Sequence, residues 1–135
     1  MAASYDKLGA EGTASNVVCA ANTAKTMKSG SLDVFSTPSM VALMEEAACN
    51  ALHVHDGFSS VGISMSIKHL AATSLGRSVK AIAKITSMKK NIIEFNVVAK
   101  DSTGTVIGEG THRRAIVDVQ KFMKKAVAKA DFGSL

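Results

Sequence analysis

Apolar and polar positions divide this chain into one helical stretch and a series of alternating ones. Thr37-Pro38 opens the helical stretch: Thr37 suits the N-cap and Pro38 the first helical position. The helix is predicted to run to about His53, with His55-Asp56-Gly57 closing it and glycine as the stop. After Phe58 the period becomes two. Ile63, Met65, Ile67 and His69 fall on one side of a strand, and Ser64, Ser66 and Lys68 on the other. Leu75 to Met88 reads as the next strand, with Val79, Ala81, Ala83 and Ile85 on one face. Lys89-Lys90-Asn91 is a hairpin turn into a strand from Ile92 to Lys100, and Asp101 to Gly104 is a second turn into a long strand from Thr105 to Val119. Phe122, Met123, Ala126 and Val127 return to helical spacing, predicting a C-terminal helix over 120–131.

Ahead of the long helix the signals are weaker. Residues Met1 to Ala14 read as a flexible or loosely docked lead, Ser15 to Met27 as a Val-, Thr- and Ala-rich first strand, and Lys28 to Ser31 as a turn. A strand, a long helix and four strands joined by short turns imply an α+β fold, a curved sheet wrapped round the helix. The length of 135 residues suits one domain.

One residue breaks the helical pattern. At about 100° per residue, Val41 and Leu52 lie within about 40° of Glu45, and Ala42 and Cys49 within about 60° on the other side. Glu45 is the sole charge in an apolar or small-residue sector, whereas Glu46 shares a polar face with Asn50 and His53. A carboxylate facing a core is costly unless it is paired or does chemistry, and desolvation makes it a better base near neutral pH. The alternative is a helix rolled slightly, so that Glu45 reaches solvent or a lysine. His69 poses the same choice: it ends an apolar strand face, where a histidine either satisfies the core or does chemistry. Thr37 is by default a helix cap.

Composition narrows the field. The net charge of +5 favours an anionic partner without choosing one, and 47% hydrophobic with 20% charged residues fits a soluble globular protein. One Tyr, no Trp and scattered basic residues argue against nucleic-acid binding. Cys19 and Cys49 match no disulfide framework or metal site and are expected to be buried free thiols, which points to a reducing compartment and a cytoplasmic protein. No apolar run is long enough to span a membrane, and the N-terminal residues contain no signal-peptide core, so no membrane partner is expected.

Taken together and in order, the segment from Val34 to Ala48, Ser60-Val-Gly-Ile63, His69-Leu-Ala-Ala-Thr73 and Gly108-Glu-Gly-Thr-His112 closely resemble the hotdog thioesterases related to fluoroacetyl-CoA thioesterase. The resemblance runs from about Ser15 to Val119. It implies a hotdog fold, a long central helix wrapped by a five-stranded antiparallel sheet. It also implies a homodimer or higher oligomer, an acyl-CoA substrate, and no cofactor or metal beyond the coenzyme A of the substrate. It puts the catalytic group on Thr37, Glu45 and His69, and the backbone N–H that holds the thioester carbonyl on Gly62, where a missing side chain lets a carbonyl approach. Lys68, Lys89, Lys90, Arg113 and Arg114 are candidates for the phosphates of coenzyme A, and His112 is expected to support the fold. Pro38, Glu46 and Ser74 depart from the fluoroacetyl enzyme's pattern, so selectivity for that acyl group is not implied. The expected activity is hydrolysis of a small or medium acyl-CoA. The alternatives are a non-catalytic hotdog module that binds an acyl ligand and another hotdog acyl-CoA enzyme such as a hydratase.

Overall fold

The computed structural model describes residues 4–133, with side chains to residue 128. The elements are β1 (Glu11–Val17), a 3-10 turn (Ala20–Asn22), α1 (Thr37–Ala51), β2 (Phe58–His69), β3 (Ser78–Lys89), β4 (Ile92–Asp101), β5 (Val106–Asp118) and α2 (Val119–Gly133). The strands form one antiparallel sheet in the order β1-β3-β4-β5-β2. The sheet is curled and α1 packs against it, as the element order predicts. No helix among the described residues is long and apolar enough to cross a membrane.

The core lies between α1 and one face of the sheet. Val79, Ala81, Ala83 and Ile85 are buried along β3, as the alternation predicts. From α1 come Met40, Leu43, Met44, Ala47, Ala48 and Ala51. Alanines on both sides of this contact let the backbones approach closely, and the methionines fill the irregular space that remains. The approach is tightest at Gly12 of β1, where an added Cβ would collide with the Ala47 and Ala51 backbone.

Several expectations give way here. The first strand is not Ser15–Met27 but Glu11–Val17, and Cys19 to Ser36 is largely irregular. The Asn22 side chain holds that bend, accepting from the Cys19 N–H (2.9 Å) and donating to the Val17 carbonyl (3.0 Å). The described part of the N-terminal lead is docked: Tyr5 N–H donates to the His53 carbonyl at 2.9 Å, and the Asp6 carboxylate meets His53 Nδ1 at 2.9 Å. Helix α1 stops at Ala51, and Gly57 (φ +85) shapes the turn into β2 instead of capping the helix. Ile63 is 49% exposed, because a register shift between Gly62 and Ser64 lifts it out of the alternation. Both cysteines are exposed, which removes the buried-thiol argument for a reducing compartment.

Candidate active site

Two polar clusters stand on α1, one at its first turn and one at its middle. At the first turn the cap is Ser36, not Thr37. The Ser36 hydroxyl accepts from the Ser39 N–H at 3.1 Å, and Pro38 lies within the first turn. Thr37 is thereby released from capping. Its hydroxyl lies 2.8 Å from Nδ1 of His69, the last residue of β2. The chain entering α1 is tied to the chain leaving β2: Phe35 N–H donates to the Thr73 carbonyl at 2.9 Å, and Val34 bridges to Ser74. These ties bring together two residues 32 positions apart. Beside the pair opens a cavity of about 320 Å³, bordered by Ala24, Val34, Phe35 and Ala71. Burial holds His69 below its ordinary value of 6.5. Its Nε2 is buried and has no hydrogen-bond partner among the described residues. A neutral ring with one unengaged nitrogen can take or give a proton there.

At the middle of α1, Glu45 reaches the strand instead of the core. Its carboxylate is 3.2 Å from Arg114 Nη1. It lies so close to Gly62 that any Cβ there would collide with Oε2. A side chain at 62 would therefore push the carboxylate out of this position. The Arg114 guanidinium is enclosed. Its Nε donates to Ser60 Oγ (2.9 Å), Nη2 to the Ser60 carbonyl (3.1 Å), and Nη1 to Glu45 and to His112 Nε2 (3.2 Å each). His112 is buried, stacks on Phe95, and places Nδ1 2.8 Å from the Ser64 carbonyl.

The sector around Glu45 proves apolar as read, but it is not the core-facing stripe. Ala42 and Cys49 are exposed, and Val41, Glu45 and Leu52 are half-buried. The Glu45 side chain itself is 42% exposed. Thr37 and His69 meet, but Glu45 stands eight residues along the helix, about 12 Å from Thr37 by helical rise. One chain therefore does not join all three.

Of the residues considered for coenzyme A, Lys68, Lys89, Lys90 and Arg113 are exposed, and Arg113 pairs with Glu94 at 3.2 Å. Arg114 does not belong with them: it is 6% exposed and directed inward. The signal that places it was present in the sequence. In β5, His112 and Arg114 alternate with Thr111 and Arg113, so one pair must face in and the other out. Reading the two arginines as one surface patch ignored that period. The strand register puts Lys68 beside His69, whereas Lys89 and Lys90 lie at the opposite end of the sheet.

The family model described as fluoroacetyl-CoA-specific thioesterase matches residues 18–120. The fluoroacetyl-CoA thioesterase of Streptantibioticus cattleyicolor is 35% identical over 103 residues, covering 75% of this chain and 73% of that protein. A solved structure of a fluoroacetyl-CoA thioesterase superposes with a TM-score of 0.84 at 30% identity, over 91% of this chain and 96% of the other. A variant of that enzyme in complex with fluoroacetate and CoA gives 0.79 at 31% identity, over 86% and 98%. A thioesterase superfamily member from Thermus thermophilus gives 0.82 at 24% identity, over 93% and 96%, a likeness of fold alone.

Proposed function

This chain belongs to the fluoroacetyl-CoA-specific thioesterase family, and from that premise we propose that it hydrolyses a small or medium acyl-CoA to the free acid and coenzyme A using Glu45, Thr37 and His69. It is a thioester hydrolase with a hotdog fold. The observation that supports the assignment of residues is the Glu45 carboxylate, steered by Arg114 against the bare backbone of Gly62 and left half open to solvent.

In this reading Oε2 is occupied by Arg114 and Oε1 does the chemistry. Glu45 takes a proton from water as the oxygen adds to the thioester carbonyl, or adds to that carbonyl itself to give an anhydride that water then opens. Either way the C–S bond breaks and the thiolate of coenzyme A leaves. His69, oriented by Thr37, positions the acyl group and assists proton transfer to that sulfur. The negative oxygen formed on the way accepts from the Gly62 N–H. A thioester is already reactive, so base catalysis and one well-placed donor suffice.

The missing contact between Glu45 and the Thr37–His69 pair supports a homodimer. Strand β2 is 12 residues long and, among the described residues, pairs only with β5 and leaves its other edge open. Such an edge is a template for a second copy. Its exposed Ile63 and Phe58, with the half-open sector of Val41, Ala42 and Leu52, give that copy an apolar surface to cover. A partner packed there desolvates Glu45 and brings a second Thr37–His69 pair toward it. Coenzyme A enters as part of the substrate, with Lys68, Lys89, Lys90 and Arg113 as cations for its phosphates.

The deciding measurement is thiol release over a panel from acetyl-CoA to dodecanoyl-CoA, with mass in solution recorded alongside. The expected result is free coenzyme A from the shorter members and a dimeric mass. Loss of an enoyl double bond without thiol release would make the protein a hydratase instead.

A further inference from the structure

We propose that His112 is a positioning residue for thioester hydrolysis: as a neutral ring it accepts a hydrogen bond from Arg114 and so fixes the guanidinium that aims Glu45. The proposal rests on the reading of Glu45 as the reacting carboxylate and extends it to a residue that touches no substrate.

Arg114 Nη1 carries two N–H groups, which can only donate. One is directed at Glu45 Oε2 and the other at His112 Nε2, each at 3.2 Å. For the second contact to be a hydrogen bond, Nε2 must hold a lone pair. The ring proton then sits on Nδ1, which has an acceptor ready in the Ser64 carbonyl at 2.8 Å. Both ring nitrogens are satisfied in this one tautomer. The ring plane is held by its stack on Phe95, 5.8 Å between centroids at 26°. Four of the five guanidinium N–H groups are thus directed at partners, and His112 is the acceptor next to Glu45 on the same nitrogen.

Protonation reverses this contact. A proton on Nε2 faces an N–H of a cation, so two donors oppose each other in a buried site. The guanidinium must then turn or withdraw, and Glu45 loses its orientation. The charged groups that face the ring are Arg114 on its own strand and Glu45 from α1. Burial holds His112 below 6.5. Arg114 acts in the same direction, and the Ser64 carbonyl and Glu45 oppose it. The ring therefore stays neutral through the neutral range.

Two conservative variants separate positioning from packing. His112→Gln puts an amide oxygen near the place of Nε2 and can still accept from Arg114. His112→Asn reaches only as far as Nδ1 and can still donate to Ser64. With thermal unfolding measured on both and Glu45→Gln as a control, thiol release is followed across pH. The expected result is that the Asn variant loses about tenfold or more in kcat with KM unchanged, whereas the Gln variant keeps most of its kcat. The acid limb of the Gln variant shifts to lower pH, since its amide does not titrate. Equal kcat in both variants, either at the wild-type level or lowered in step with stability, would overturn the proposal. Full turnover by Glu45→Gln would instead remove the reading of Glu45 on which it rests.

Discussion

The first turn of α1 and its middle solve opposite problems. At the first turn, two neutral side chains meet at the rim of a cavity, and a buried ring nitrogen has no partner among the described residues. At the middle, a cation with almost no exposure is directed at partners on nearly all its N–H groups, and the anion it holds is half open. A buried neutral group without a partner costs about 1–3 kcal/mol, and an unpaired buried charge costs more, about 3–5 kcal/mol. The charged cluster therefore has to be complete in the folded chain, whereas the neutral pair can wait for substrate or a second subunit. The mid-helix cluster resists rearrangement, and the first-turn pair can adapt.

The largest effect expected is on turnover. Glu45→Gln keeps an oxygen near Arg114 and removes the carboxylate proposed to react, so folding should survive while kcat/KM falls by about 100-fold or more. Thiol release and a thermal melt on the same sample check both halves. Arg114→Leu attacks the same cluster from the other side. It strands the Ser60 carbonyl, the Glu45 carboxylate and His112 Nε2 together. Glu45 can rehydrate, so the stability loss should lie near the low end for a broken buried pair, about 3 kcal/mol, with activity lost as well. Chemical denaturation measures it. If Arg114→Leu unfolds no more easily than Thr37→Ala, the contrast between the clusters is wrong.

How far the sequence could show this division follows from which forces act locally. The alternation in β3 and the two hairpin turns were legible because each depends on near neighbours and the pleat. The anomaly at Glu45 was also legible, since one charge interrupts an otherwise apolar sector. What covers that sector was not: a helical wheel finds an apolar face but cannot tell the protein's own sheet from a neighbouring surface. The sheet took the stripe from Met40 to Ala51 instead. The bend after β1 hangs on Asn22, whose side chain bonds the nearby backbone of Cys19 and Val17 and so competes with the strand propensity of a Val- and Ala-rich run. The cap shifted by one residue because Ser36 and Thr37 are both good caps, and tertiary ties choose between them, Phe35 to Thr73 and Thr37 to His69.

Each region holds a histidine whose ring burial keeps neutral, His69 at one and His112 at the other. In the unfolded chain both regain their ordinary value of 6.5, so below that pH the unfolded state binds protons that the folded state refuses. The stability they contribute is therefore complete above pH 6.5 and is lost as pH falls through their folded values. The melting temperature should drop progressively on acidification below about pH 6.5. His69→Gln and His112→Gln should each lessen that drop, because each removes one ring that burial holds below 6.5. An undiminished drop in both variants would show that neither ring carries the acid sensitivity.

The smallest effect expected is at Ser36, which decides what Thr37 is free to do. Ser36→Ala removes the acceptor for the Ser39 N–H and should cost about 1 kcal/mol. Thr37 is the adjacent residue able to cap, and two demands compete for its hydroxyl: the first turn of the helix and the ring of His69. Ser36 is almost fully buried and the preceding residue is tied to Thr73, so the chain cannot slide one residue to make Thr37 the cap. The hydroxyl should therefore remain on His69, giving a modest fall in melting temperature with kcat nearly unchanged. A variant in which kcat falls more steeply than stability would show that Thr37 had been drawn back to capping. The division of labour between the two adjacent hydroxyls would then be a functional requirement as well as a structural one.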